Sequence, residues 1–323
     1  MPKKATIQTG IILVLAALAC VSTATADDFP ARSVMLVVPF AAGSGADITA
    51  RTVGKGLADV LKQPVVVENR DGASGMIGLS YVARAKPDGY TVAMGGIGGV
   101  VLHPAVEGDR MTFHPQQELA PVALVAKASP VLMVNASLGV KTLPELIALA
   151  QMSRVTYGSP GVGTAMHLTG ELMKQVTGAP LVHVPYRGQG LVAADVLGGT
   201  INFAFLDVSV ALPFAHDGRV RLIAVAGKER APQLSDVPTT AELGYPQLVM
   251  ENWYALYAPR DTPAPIIARL AEAAQQAMAL PDIRSAINKT TGLIPLAEGP
   301  DALRKQMQDD NAKWQPIAAR IGE

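Results

Sequence analysis

The 323-residue chain has one cysteine, Cys20, and it falls in an N-terminal segment built like an export signal. Past residue 26 there is no thiol for a disulfide, a thiolate nucleophile or a zinc–thiolate site. Charge is sparse too, at 17% of residues. With Lys3 and Lys4 set aside, 25 basic residues face 27 acidic ones, a net of −2 with no basic stripe, which argues against nucleic acid as a partner. No later apolar run approaches the ~20 residues that cross a bilayer, so the mature chain is expected to be soluble. His103, His114, His167, His183 and His216 show neither His-x-His nor His-Glu-x-x-His spacing, and no metal is expected. Gly43-Ser44-Gly45 lacks the third glycine of a dinucleotide fingerprint, and no Gly-Lys-Ser/Thr closes a nucleotide loop. A Gly-x-Ser-x-Gly elbow is missing as well. These gaps leave little for catalysis, and neither enzyme activity nor a cofactor is expected.

What is present begins with that signal. Lys3 and Lys4 give a positive start, Ile11 to Val21 an apolar run, and Ala24-Thr25-Ala26 the small-x-small form of a cleavage site. Residues 1–26 are read as a signal peptide, with the mature protein starting near Asp27 in the periplasm. An uncleaved anchor or a lipid on Cys20 are the alternatives. Ala17 stands where a lipoprotein site would prefer Leu.

Val34 to Val38 is a β-branched run that ends at Pro39 and predicts a buried strand. Ile48, Val53, Leu57, Val60 and Leu61 then recur at helical spacing. A strand at Val65–Val67, a helix at Met76–Arg84 and a strand at Tyr90–Met94 complete a parallel α/β unit. The pattern restarts with a strand at Val131–Val134 and a capping box at Thr142-Leu143-Pro144-Glu145. Strands at 154–157, 181–184, 201–206 and 220–226 alternate with helices at 164–176, 191–197 and 208–216. Leu248 to Ala258 reads as a strand returning to the first unit, and helices at 263–280, 282–289 and 301–321 close the chain. The prediction is two doubly wound α/β domains joined by a hinge, residues 27–128 with 252–323 forming one and 129–251 the other. Two chain crossings between domains suit closure around a ligand.

Ligands in such sheets bind beyond the carboxyl ends of the strands. Each unit has a glycine-rich break there. Phe40, Ala42, Gly43, Ser44, Gly45 and Asp47 belong to the first, and Ser159, Gly163 and Thr164 to the second. Their helix starts offer amides and a dipole that favour an anion, so two facing starts suit the ends of a small dicarboxylate. Asp47, in a first helical turn, is read as opposing the dipole, with a direct ligand contact as the alternative. Gly96 and Ile97, in Met94-Gly95-Gly96-Ile97-Gly98-Gly99, are placed at the cleft through backbone contacts or as part of a mobile loop. His167, one turn after Thr164, is placed on its face, with a satisfied structural histidine as the alternative. Tyr186 and Arg187 leave a strand of the second unit in the corresponding direction, Arg187 being able to pair with a carboxylate. Asp207, at a strand end, is read as a helix cap or as an acceptor from a ligand hydroxyl or amine. Trp253, Tyr254 and Tyr257 are assigned to core or hinge packing.

The run Val37-Val38-Pro39-Phe40-Ala41-Ala42-Gly43-Ser44-Gly45-Ala46-Asp47 resembles the Bug family, the extracytoplasmic solute receptors of tripartite tricarboxylate transporters. The likeness continues through Val65-Val66-Val67-Glu68-Asn69-Arg70, Tyr157-Gly158-Ser159-Pro160-Gly161-Val162-Gly163-Thr164 and His183-Val184-Pro185-Tyr186-Arg187-Gly188. It implies a Venus-flytrap pair of domains holding a small organic acid. It also implies main-chain amide contacts from Ala42–Gly45 and Ser159–Thr164, and a permease of one large and one small integral membrane subunit as partner. Gly43-Ser44-Gly45 stands where the family often has three glycines, and Gly95 to Gly99 where it commonly has Ser or Thr. Both departures bear on which acid is bound. Two other functions remain open at this level: an extracytoplasmic α/β hydrolase, told apart by turnover of an ester, and a ligand sensor for a membrane kinase.

Overall fold

The computed structural model describes residues 29–318 with the exception of 215. The expected export signal and its cut site lie outside the described residues, as do Ala215 and the expected last turn of the closing helix.

Eleven strands among the described residues form two sheets. The first contains β1 (Val34–Val38), β2 (Val65–Asn69), β3 (Thr91–Gly96), β4 (Leu119–Ala128), β10 (Asn252–Pro259) and β11 (Ile294–Glu298), in the order β11-β4-β10-β3-β1-β2. β1 runs parallel to β2 and β3, whereas β10 is antiparallel to both β3 and β4. The predicted parallel unit is therefore the edge of a mixed sheet. β4 and β11 are two strands the sequence reading did not place. The second sheet has the order β7-β6-β8-β5-β9, with β5 at Val131–Asn135, β6 at Val155–Ser159, β7 at Leu181–Pro185, β8 at Phe203–Leu206 and β9 at Val220–Val225. The chain leaves the first sheet after Ala128 and returns at Asn252.

Helix α1 (Gly45–Leu61) lies on one face of the first sheet. Val53, Leu57 and Leu61 are buried there, each worth roughly 1.5–3 kcal/mol of apolar transfer. A Cβ on Gly54 would sit 3.4 Å from Val65, and one on Gly56 3.0 Å from Ala277, so the two glycines let α1 approach the sheet and its neighbouring helices. Those neighbours are α9 (Ala264–Ala279) and α10 (Pro281–Thr291). The opposite face is covered by α2 (Met76–Ala83) and α11 (Pro300–Ala318). Trp253 Nε1 donates to Asp310 Oδ2 at 2.7 Å and ties α11 to β10. Burial raises the Asp310 pKa. The short helices α3 (His103–Glu107) and α4 (Pro115–Glu118) lie between β3 and β4.

In the second sheet α5 (Leu143–Met152) and α6 (Ala165–Thr177) cover one face. The other carries α7 (Gln189–Gly198) and α8 (Val208–Ala211). Half of the expected capping box at α5 forms: Thr142 Oγ1 accepts from Glu145 N at 3.3 Å, while the Glu145 carboxylate accepts from Lys141 N, one residue before the cap, at 2.6 Å. No helix among the described residues is long and apolar enough to cross a membrane.

Gly95 to Gly99 are not a mobile loop. Gly95 and Gly96 end β3 and Gly98 opens a helical turn. A Cβ on Gly95 would lie 2.8 Å from the Tyr257 ring, and one on Gly96 2.8 Å from Trp253 O. Their smallness admits the returning strand.

Candidate functional site

Three helices begin at one crevice between the sheets, and each start is shaped by local side chains. Ser44 caps α1 with an extended backbone, its Oγ accepting from Asp47 N at 3.2 Å. Asp47 turns back towards the loop, where its Oδ2 accepts from Gly43 N at 2.9 Å and its Oδ1 from Asn69 Nδ2 at 2.9 Å. Arg51 pairs with the same carboxylate. Burial pushes the Asp47 pKa up, but the bonds from Arg51, Gly43 and Asn69 together outweigh it and the net shift is downward. Asp47 thus builds the loop from behind and is not in the crevice wall. Gly43 sits at φ +79°, a conformation that favours glycine.

The second loop is held in the same manner. Thr164 caps α6, accepting from His167 N at 3.4 Å and donating to Gly161 O at 2.7 Å. Gly163 N donates to His167 Nδ1 at 3.2 Å, and Gly161 N to Ser159 Oγ at 3.2 Å. Ser159 Oγ lies 2.7 Å from His183 Nε2, and the two histidine rings stack at 4.1 Å. Burial lowers both histidine pKa values to about 4, with His167 also acting on His183. Both rings are neutral at neutral pH, which keeps His167 Nδ1 an acceptor.

One expectation changes as a result. The amides of Gly43, Gly161 and Gly163 are consumed by Asp47, Ser159 and His167, so they are not available to a ligand. The Thr164 hydroxyl proton is likewise engaged, by Gly161 O. Among the described residues, amides without a protein acceptor include those one step further on, at Gly45 and Ala46 of α1 and at Ala165 and Met166 of α6, as well as Ala42 and Val162 within the loops. Ala46, Ala165 and Met166 all line the crevice. The first turn of α7, capped by Gly188, adds a third helix start to the same wall.

The enclosed volume is ≈ 80 Å³, several times the ~10–15 Å³ that one water needs. The first half of the molecule supplies Phe40, Ala41, Ser44, Ala46, Gly96, Gly98, Asn252 and Tyr254 to its wall. Pro160, Thr164, Ala165, Met166, Arg187, Gly188 and Gln189 come from the second. Of the residues expected from sequence, Phe40, Ser44, Gly96 and Thr164 stand on this wall. Ala42, Gly43, Gly45, Ser159, Gly163 and His167 lie in or behind the loops that frame it. Ile97 is fully buried in the core, because the chain has already turned into a helix there. Tyr186 points aside, its hydroxyl donating to Asp195 at 2.6 Å, and its neighbour Arg187 occupies the wall instead. Arg187 is exposed and makes no ion pair among the described residues.

Asp207 occupies the N-cap position of α8 with its backbone, its carbonyl oxygen accepting from Val210 N at 3.0 Å and Ala211 N at 3.1 Å. It makes no side-chain cap to the helix that follows and does not reach the wall. Its carboxylate is buried behind the wall, where it accepts from Gln189 Nε2 at 2.7 Å, Tyr254 Oη at 2.9 Å and Asn252 Nδ2 at 3.1 Å. Burial pushes its pKa up against those three donors. Tyr254 is therefore more than hinge packing, since it lines the crevice and reaches from β10 into the second half. Further contacts join the two halves beside the crevice. Ser74 Oγ donates to Val162 O at 2.7 Å, and the α1 start abuts Asp207, so that a Cβ on Gly45 would lie 2.7 Å from Asp207 Oδ2.

Chemically, each helix start contributes about half a positive charge, and Arg187 a full one. The wall is mostly apolar, and the polar groups at the helix starts and Arg187 are donors. Such a wall selects a small anion with an apolar body.

The sequence matches the tripartite tricarboxylate transporter family receptor model, TctC, over residues 49–323. Protein BugT of Bordetella pertussis (strain Tohama I) is 32% identical over 320 residues, covering 97% of this chain and 96% of that protein. MatC from Rhodopseudomonas palustris, solved with bound malate, superposes with a TM-score of 0.82 at 29% identity, over 90% of this chain and 100% of the other. An R. palustris protein solved with adipate gives 0.85 at 31% identity, over 90% and 97%. The chain belongs to the TctC family of periplasmic solute-binding receptors, a family of binding proteins rather than of enzymes.

Proposed function

We propose that this receptor captures a small organic carboxylate between its two α/β halves and delivers it to a tripartite tricarboxylate-type permease with large and small membrane subunits. One observation carries the reading: the starts of α1, α6 and α7, with acceptor-free amides at Ala46, Ala165 and Met166, meet Arg187 around a single enclosed volume. The ligand carboxylate is assigned to those amides, with Ser44 beside them and Phe40, Pro160 and Met166 against the apolar body. The bound malate and adipate of the two relatives are acids of this class.

Residues 27–128 with 252–323 are taken as one closing body and 129–251 as the other. A ligand that touches both binds only the closed form fully, so it shifts the population towards closure. Export to the periplasm by a signal cleaved after Ala26 accords with the family's location.

A thermal-shift screen of the mature protein against mono-, di- and tricarboxylates and aromatic acids tests the proposal. A ligand at 100 times its dissociation constant stabilises by ~2.7 kcal/mol. A screen in which no carboxylate raises the melting temperature, while another class does, rejects it.

A further inference from the structure

Resting on the carboxylate reading above, we infer that Asn252 sets ligand specificity through its amide oxygen. The preferred acid would then carry a hydrogen-bond donor, such as a hydroxyl, next to its apolar chain. Asp207 N donates to Gln189 Oε1 at 2.8 Å, and a backbone amide can only donate, so the oxygen end of Gln189 is fixed. Gln189 Nε2 must then face Asp207 Oδ2, which it does at 2.7 Å. Tyr254 Oη donates to the same oxygen at 2.9 Å. Asp207 Oδ1 remains as an acceptor for the Asn252 amide nitrogen at 3.1 Å, and that nitrogen also donates to Tyr254 Oη at 3.2 Å.

Both Asn252 hydrogens are thereby used and the orientation of the amide is settled. Its oxygen is the atom left over, and no donor among the described residues reaches it. Asn252 is 6% exposed and belongs to the crevice wall. Around it the wall donates: the amides of Ala46, Ala165 and Met166, and the Arg187 guanidinium. A ligand carboxylate satisfies those groups and can do nothing for Asn252 Oδ1. A plain alkanedioate would bury that oxygen against methylene groups, whereas a hydroxy acid would pair it. Asp207 is the positioning residue here. It touches no ligand, and it aims Asn252 while locking the hydrogens of Gln189 and Tyr254.

The test is calorimetric titration of the mature protein with matched pairs: succinate and malate, glutarate and 2-hydroxyglutarate, adipate and 2-hydroxyadipate. In at least one pair the hydroxy acid is expected to bind about tenfold more tightly or better. Asn252→Leu is expected to erase that preference while still binding the unsubstituted acid. Equal or tighter binding of the unsubstituted acid in every pair overturns the inference and leaves the carboxylate reading standing. So does a hydroxyl preference that survives in Asn252→Leu. The wild-type ranking decides even if the variant does not fold. If all six acids fail and the thermal-shift screen finds no other carboxylate, the underlying reading falls together with the inference; if the screen finds another carboxylate, its plain and hydroxylated forms become the deciding pair.

Discussion

Gly45→Ala isolates domain closure from folding. In the structure an added Cβ would lie 2.7 Å from Asp207 Oδ2 and 3.4 Å from Ser209 Oγ, both on the far side of the cleft. Asp207 has no room to yield, because Gln189, Asn252 and Tyr254 hold its carboxylate. Overpacking of this kind costs about 1–3 kcal/mol. Within α1 itself the change is favourable, since alanine exceeds glycine in helix propensity by up to ~1 kcal/mol. The two effects act on different equilibria. Melting of the ligand-free protein should change little or rise slightly, while affinity for the carboxylate found by screening should fall by about 5- to 150-fold. Calorimetric titration and a melting curve on the same preparation read both quantities. Unchanged affinity would mean that Gly45 and Asp207 do not approach on binding, and the closure argument would fail.

Other substitutions probe the two loops. Ser44→Asp sets a carboxylate at the α1 start beside the proposed ligand, and should abolish binding of acids with the fold intact by circular dichroism. Thr164→Ala removes a cap and the bond to Gly161 O, costing about 1 kcal/mol of stability in urea denaturation. Its effect on affinity should be smaller, and a large loss of affinity at constant stability would restore the hydroxyl as a ligand contact. Stability should also fall in acid. The folded-state pKa of His167 is depressed to about 4, so the unfolded chain takes up a proton below about 6.5 that the folded chain refuses. The resulting loss, up to about 1.4 kcal/mol per pH unit, runs from about pH 6.5 down to about pH 4 and then stops. His183, its pKa also lowered to about 4 by burial and by the neighbouring His167, contributes over the same window. Replacing His167 with Gln should flatten the melting profile across that window; an unchanged profile would show that the buried pair is not what titrates.

Local patterns carried most of the architecture. β1 at Val34–Val38, the helical spacing of α1 and the Thr142 cap are set by neighbours within a few residues, and all three form. β4 went unread because Leu119–Ala128 is rich in alanine and contains Pro121, which reads as a break. Its place comes from pairing with β10, over 120 residues away and with two register shifts. The loops at Ser44 and Thr164 were legible as helix starts, but the fate of their amides was not drawn from the sequence. A signal for it existed, in Ser159 two residues before Gly161 and His167 four after Gly163, the spacing of local side-chain to backbone bonds. Asp207, Gln189, Asn252 and Tyr254 gave no such signal. They come from separate elements, and only the folded sheets bring them together.

The central claim is that backbone amides at opposed helix starts grip the acid. Backbone ¹H–¹⁵N spectra recorded while the mature protein is titrated with the best carboxylate test it most directly. The Ala46, Ala165 and Met166 amide protons are expected to move downfield in step with saturation, with the Gly161 and Gly163 amides shifting far less. Saturation of binding with the first three resonances unmoved would contradict it.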